Sequence, residues 1–116
     1  MQQRTPNVRV VPLPWPRLAW YHAGMELFQA EHIAVSYRVG GKDRSLFGDV
    51  SFALREGTVY DLVGPSGAGK STLLRACALM MARDAGELYL DGEPSSGFKP
   101  CEWRRRVCLV PQKPSL

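Results

Sequence analysis

Apolar and polar positions alternate in two stretches of the first half of the chain. Ile33, Val35 and Tyr37 alternate with smaller or polar neighbours, and Gly40-Gly41-Lys42-Asp43 supplies a turn. Val50, Phe52 and Leu54 then repeat the alternation, so two strands joined by a reversal are predicted, starting about two residues after Met25. Arg55-Glu56-Gly57 turns the chain again, and the short apolar run from Val59 to Val63, ending at Gly64, reads as a buried strand. From Lys70 to about Met81 the apolar residues Leu73, Leu74, Cys77, Ala78 and Met81 recur at helical spacing, with Gly86 expected to close that helix as a left-handed cap. Leu88 to Leu90 followed by Asp91-Gly92 predicts a strand and turn, and Val107 to Val110 a last strand stopped by Pro111.

The first 24 residues break this pattern. Pro6, Pro12, Pro14 and Pro16 remove backbone donors and exclude a helix or a central strand there. Trp15 and Trp20 are unusual for a disordered arm, which ordinarily lacks large aromatics, so the segment either docks or is not part of the natural product. Residues 1–24 are therefore read as a Pro-rich extension outside the domain. Residues 25–116 form the domain itself, with Met25 as the expected true start.

Composition narrows the function class. The net charge of +4 owes three charges to Arg4, Arg9 and Arg17, which precede Met25 without any acid among them. Beyond Met25 acids nearly balance bases, so no basic stripe marks a nucleic-acid footprint and no direct nucleic-acid partner is expected. The run Arg104-Arg105-Arg106 is read as a solvated face. Cys77, Cys101 and Cys108 are odd in number and show no paired spacing, which points to reduced thiols in a cytoplasmic protein. No apolar run approaches the roughly 20 residues that span a bilayer.

One segment carries chemistry. Gly64-Pro65-Ser66-Gly67-Ala68-Gly69-Lys70-Ser71 fits G-x-x-x-x-G-K-[ST] and sits between the predicted buried strand and the predicted helix. Glycines without a Cβ let the backbone curl so that successive N–H groups face inward, and the helix N-terminus adds the positive end of its dipole. The loop is an anion cradle of the P-loop kind. Lys70 is expected at the β- and γ-phosphates, the Ser71 hydroxyl on Mg²⁺, and the N–H groups of Gly67, Gly69, Lys70, Ser71 and Thr72 along the cradle wall. G-x-G-x-x-G is absent, which disfavours a dinucleotide fold.

The loop GPSGAGKSTLL, the preceding VSY and LFGDVSFALREG, and the later LVPQKPSL stand in an order and spacing that resembles the ATP-binding subunit of ABC transporters across nearly all of Met25 to Leu116. The resemblance implies an α/β P-loop NTPase fold, an ABC-type nucleotide-binding domain that stops after the Q-loop. It implies ATP and Mg²⁺ as ligands, held by Gly64, Pro65, Ser66, Gly67, Ala68, Gly69, Lys70, Ser71 and Thr72. It places Tyr37 where the family stacks an aromatic ring on adenine. It places Gln112 in the Q-loop, whose amide reaches the Mg²⁺ and the attacking water, so Lys70 and Gln112 are the catalytic candidates and Ser71 and Gln112 the metal candidates.

A transmembrane permease subunit on a separate chain and a dimer of ATPase subunits are the implied partners. The implied location is cytoplasmic, at the inner face of the cell membrane. Asp61 departs from the family habit of an apolar residue in the strand before the loop; a carboxylate there needs a hydrated edge or a partner.

The family's Walker B aspartate, catalytic glutamate, LSGGQ signature and switch histidine all follow the Q-loop, and these 116 residues contain none of them. His22 and His32 precede the P-loop, and no acid follows Glu102. The chain is accordingly expected to bind ATP far better than it hydrolyses it. Without the family's Walker B strand it should also keep apolar surface and an open sheet edge, with marginal solubility. Two alternatives stay open on sequence: a nonhydrolytic nucleotide-binding product of a broken reading frame, and a soluble ABC-type ATPase acting on DNA or ribosomes. For the start site the expectation is specific: mass spectrometry of the native protein should find no peptide from before Met25, and finding one would place the start upstream.

Overall fold

In the computed structural model, residues 8–13, 26–64 and 69–110 are described. Two long strands, β2 (Glu26–Val39) and β3 (Lys42–Arg55), form the antiparallel hairpin that the alternation predicts. Gly40 and Gly41 turn it with φ of 59° and 78°, the paired left-handed conformations that a two-residue hairpin of matching twist requires. The second edge of β2 pairs with β5 (Ala85–Leu90), which pairs in turn with the short β6 (Glu93–Pro94), giving the order β3-β2-β5-β6.

A separate two-stranded sheet joins β4 (Tyr60–Val63), the strand that enters the glycine loop, to β1 (Arg9–Pro12). The Pro-rich front thus supplies one strand, lying antiparallel to β4 with Val10 opposite Leu62, and Val8 beside it is buried. Pro12 ends β1, where a missing donor costs least. β4 is half-buried, whereas the apolar run predicted full burial: Tyr60 and Leu62 turn inward while Val63 is exposed. A strand is enclosed on both faces only when layers cover both, and here one face stays open. Asp61 alternates to that exposed face, so its carboxylate needs no buried partner.

The helix after the loop, α1 (Lys70–Cys77), is shorter than its periodicity predicts and ends without help from Gly86. Leu79 adopts φ 56°, its N–H donates to Ala76 O at 3.1 Å and that of Met80 to Arg75 O at 2.8 Å. These are the two bonds of a Schellman motif, with leucine where glycine usually stands. Gly86 (φ 92°) instead lies in β5, where it lets the strand pass the bulged part of β2 at close range. A Cβ at Gly86 would sit 2.4 Å from His32 O.

A second helix, α2 (Pro100–Arg106), occupies the stretch that precedes the predicted last strand. Pro100 sets its first φ, the Glu102 carboxylate accepts from Lys99 N–H at 3.1 Å, and three arginines crowd the negative end of the helix dipole. Trp103 is fully buried, with Phe98 edge-on at 5.2 Å and its indole N–H donating to Cys77 O at 2.8 Å. Arg104 donates to Leu79 O through Nε and Nη2, at 3.1 and 2.6 Å, so one member of the basic run closes the end of α1. Val107 to Val110 is not a strand, which corrects the prediction: Val107 and Leu109 are half-buried and Val110 exposed, and no ladder partner is present among the described residues.

The core gathers Phe28, Ile33, Val35 and Phe47 of the hairpin with Leu73, Ala76 and Leu88 around Trp103. Between the hairpin, β4 and α1 remains an apolar cavity of about 320 Å³, lined among others by Val10, Phe52, Leu54, Leu62 and Leu109. Among the described residues no helix is long and apolar enough to cross a membrane. Burial pushes the Cys77 thiol up to about 12, which keeps it protonated and unreactive, while Cys101 and Cys108 are exposed.

The two glycines of β5 and its turn give a paired test. Gly86→Ala meets backbone and a disallowed φ and should cost on the order of 3 kcal/mol of unfolding free energy. Gly92→Ala (φ 82°) meets open space and should cost about 1 kcal/mol. Urea denaturation of the two variants should show that order.

Candidate functional site

The strand β4 carries the chain to Gly64, and α1 receives it at Lys70. Between them Pro65, Ser66, Gly67 and Ala68 lie outside the described residues, as do Gln112 and His22. The exit from the loop is sharply defined. Gly69 takes φ 89° and ψ 20°, and a Cβ there would stand 3.0 Å from Leu46 Cγ and 3.0 Å from Phe47 Cδ2. Glycine is required on both grounds, conformation and space. Through this contact the end of the loop rests on β3.

The first bond within α1 runs from Leu73 N–H to Gly69 O at 2.8 Å. The N–H groups of Lys70, Ser71 and Thr72 precede it and so lack an intrahelical acceptor. No side chain caps the helix and its first turn contains no acid. An uncapped N-terminus of this kind presents aligned donors and partial positive charge, the setting that favours a phosphate.

Lys70, half-buried, folds back across the loop, and its ammonium donates to Gly64 O at 2.7 Å. Ser71 is exposed and Thr72 half-buried at the same helix end. The structure thus brings Gly64, Gly69, Lys70, Ser71 and Thr72 together at one loop mouth.

Tyr37 stands on β2, 48% exposed, opposite Arg44 of β3. On β2 it follows Val35 by two residues and so projects from the same face, the one whose buried members pack toward α1. Val35 pairs with Phe47, the residue on which Gly69 rests. The ring is therefore one step outward from the loop contact, on the loop's side of the sheet.

His32 lies at the β2 bulge, away from this face, and its Nδ1 pairs with Asp49 Oδ1 at 2.5 Å. The hydrogen bond and charge of Asp49 raise its pKa.

The family model described as ABC transporter matches residues 47–116, which include the whole loop. This chain belongs to the ABC transporter family. Among similar proteins, the hemin import ATP-binding protein HmuV of Nocardia farcinica is 41% identical over 85 residues, covering 72% of this chain and 30% of that protein. The ATP-dependent lipid A-core flippase of Xanthomonas oryzae pv. oryzae (strain MAFF 311018) is 37% identical over 82 residues, 71% of this chain and 14% of the relative.

Among solved structures, the ATP-binding cassette MJ0796, in a dimeric post-hydrolysis state bound to ADP and Pi, superposes with a TM-score of 0.54 at 22% identity. It covers 68% of this chain and 35% of the other. That likeness supports the fold, an α/β P-loop domain of the ABC type represented by its front part. The chain spans between 13% and 36% of the length of the relatives it matches.

Sequence reasoning did not find Arg44, although its signal was present: a two-residue turn at Gly40-Gly41 makes Tyr37 and Arg44 direct partners. The loop exit can be tested through Gly69→Ala. That substitution should weaken Mg-ATP binding about tenfold or more by forcing the cradle out of its left-handed φ, measured by titration calorimetry. Unchanged affinity would show that the φ at Gly69 does not set the cradle.

Proposed function

We propose that this chain is the nucleotide-binding front part of an ABC transporter's ATP-binding subunit. In this reading it holds Mg-ATP at Gly64 to Thr72 and works with a transmembrane permease subunit on a separate chain. The observation that carries the reading is the loop mouth itself: a left-handed glycine, an uncapped helix start without acids, and a lysine ammonium 2.7 Å from the carbonyl at the loop's far side. Such a site recognises a polyphosphate by charge and by aligned donors, and an adjacent aromatic face suits a base.

Lys70 would bind β- and γ-phosphate oxygens, with the backbone N–H groups of Gly69 to Thr72 sharing the negative charge. The fit to Mg²⁺ rests on the exposed hydroxyl of Ser71, a hard oxygen donor at the same helix end; Gln112 is the second residue proposed for the metal. Bound there, the ion would neutralise charge between the phosphates. The ring of Tyr37 would cover one face of the adenine.

The domain proper is taken to run from Met25, with residues 1–24 as an extension that lends it β1. Dimerisation of two such subunits and a position at the inner membrane face complete the proposal; relatives named for import and for flipping are both compatible with it.

Hydrolysis is a separate matter. Phosphoryl transfer to water needs a positioned nucleophile and charge neutralisation, and no acid follows Glu102 in these residues. The 116-residue chain should therefore bind Mg-ATP with turnover indistinguishable from buffer in a phosphate-release assay. Lys70→Ala should weaken binding on the order of 10- to 100-fold by calorimetric titration, the loss of one charge-assisted contact set. Equal affinities in the two proteins would refute the cradle.

A further inference from the structure

The hairpin tip sorts its charges by face. Arg38 and Asp43 are direct partners on one face, where Arg38 Nε lies 3.7 Å from Asp43 Oδ1 and its Nη2 donates to Gly41 O at 3.2 Å. The opposite face carries Tyr37, Val39, Lys42 and Arg44, since directly opposed residues of an antiparallel pair share a face. That second face is the one turned toward the glycine loop. It holds two cations and no acid, and neither Lys42 nor Arg44 has a salt-bridge partner among the described residues.

Position separates the two cations. Arg44 is level with Tyr37 and two residues from Leu46, which together with Phe47 lies so near Gly69 that a Cβ there would stand 3.0 Å from each. Along a strand that is about 7 Å, within the reach of an arginine side chain. Lys42 is one pair farther out. An arginine there flanks the base platform on one side and the phosphate cradle on the other. Its planar fork of donors matches phosphate oxygens, and in an exposed site its charge is otherwise unmatched.

We propose that Arg44 is a nucleotide-binding residue that donates to the phosphate nearest the sugar, bridging the gap between the Tyr37 ring and the helix start at Gly69 to Thr72. This rests on the nucleotide-binding reading given above. The phosphate nearest the sugar is common to ADP and ATP, so Arg44 adds affinity without choosing between them, whereas Lys70 favours ATP.

Calorimetric titration of the 116-residue chain with Mg-ATP and with Mg-ADP tests this, with a thermal melt as a check on folding. Arg44→Gln should weaken both nucleotides by a similar factor, roughly tenfold. Arg44→Lys should recover part of the loss, and the difference from the unaltered chain should shrink as salt is raised. Arg38→Gln, on the opposite face, should leave both affinities unchanged.

Lys70→Ala should weaken ATP more than ADP. No effect of Arg44→Gln while Lys70→Ala loses binding would overturn the proposal and leave the cradle standing, as would a loss confined to ATP. Full binding by Lys70→Ala would remove the cradle reading and this proposal with it.

Discussion

The pairing of β2 with two neighbours at once is the constraint on which the remaining structure depends. β2 is bonded along one edge to β3 and along the other to β5, so its inward residues Phe28, Ile33 and Val35 have fixed positions before any helix is added. At one end Phe28 receives Trp103 at 6.0 Å between ring centroids, and through Trp103 the second helix is tied to the end of the first. At the other end the same ladder offers Leu46 and Phe47 as the bed for Gly69. Gly69 is thus seated on the sheet, which steadies the start of a helix that at eight residues would be marginal in isolation.

Much of this was legible because it depends on local rules. The alternation of Ile33, Val35 and Tyr37 marked a strand, two glycines marked the turn, and a strand, glycine run and helix in succession marked the phosphate loop. What escaped depended on tertiary neighbours. Gly86 looked like a helix cap because a glycine follows the helical pattern; its real constraint is a carbonyl of β2 that no sequence window contains.

Leu79 caps α1 because its own side chain packs on the core, offsetting a backbone conformation that leucine resists. The stretch from Val107 to Val110 has the composition of a strand, but a strand exists only with a partner. α2 is a different lesson. Pro100 and Glu102, at the first and third helical positions, form a start signal that is readable in the sequence.

The apolar cavity and the start of α1 differ in chemistry. The cavity under β4 is walled mostly by aliphatic and aromatic side chains, with Asp61 and Arg106 also in its lining. The start of α1 instead offers the unbonded N–H groups of Lys70, Ser71 and Thr72 and the Lys70 ammonium. A polyphosphate is recognised by charge and aligned N–H groups rather than by enclosed volume, which favours the helix start.

The bond from Lys70 to Gly64 O gives the ammonium an acceptor within the chain. In the proposed reading, an incoming phosphate would take the ammonium away from a carbonyl, so association would be an exchange of acceptors. The same bond ties the two ends of the loop together beforehand, which reduces the chain entropy that ordering by a ligand would otherwise cost. One hydrogen bond therefore acts in both directions, lowering the net gain from the lysine and raising the readiness of the backbone around it.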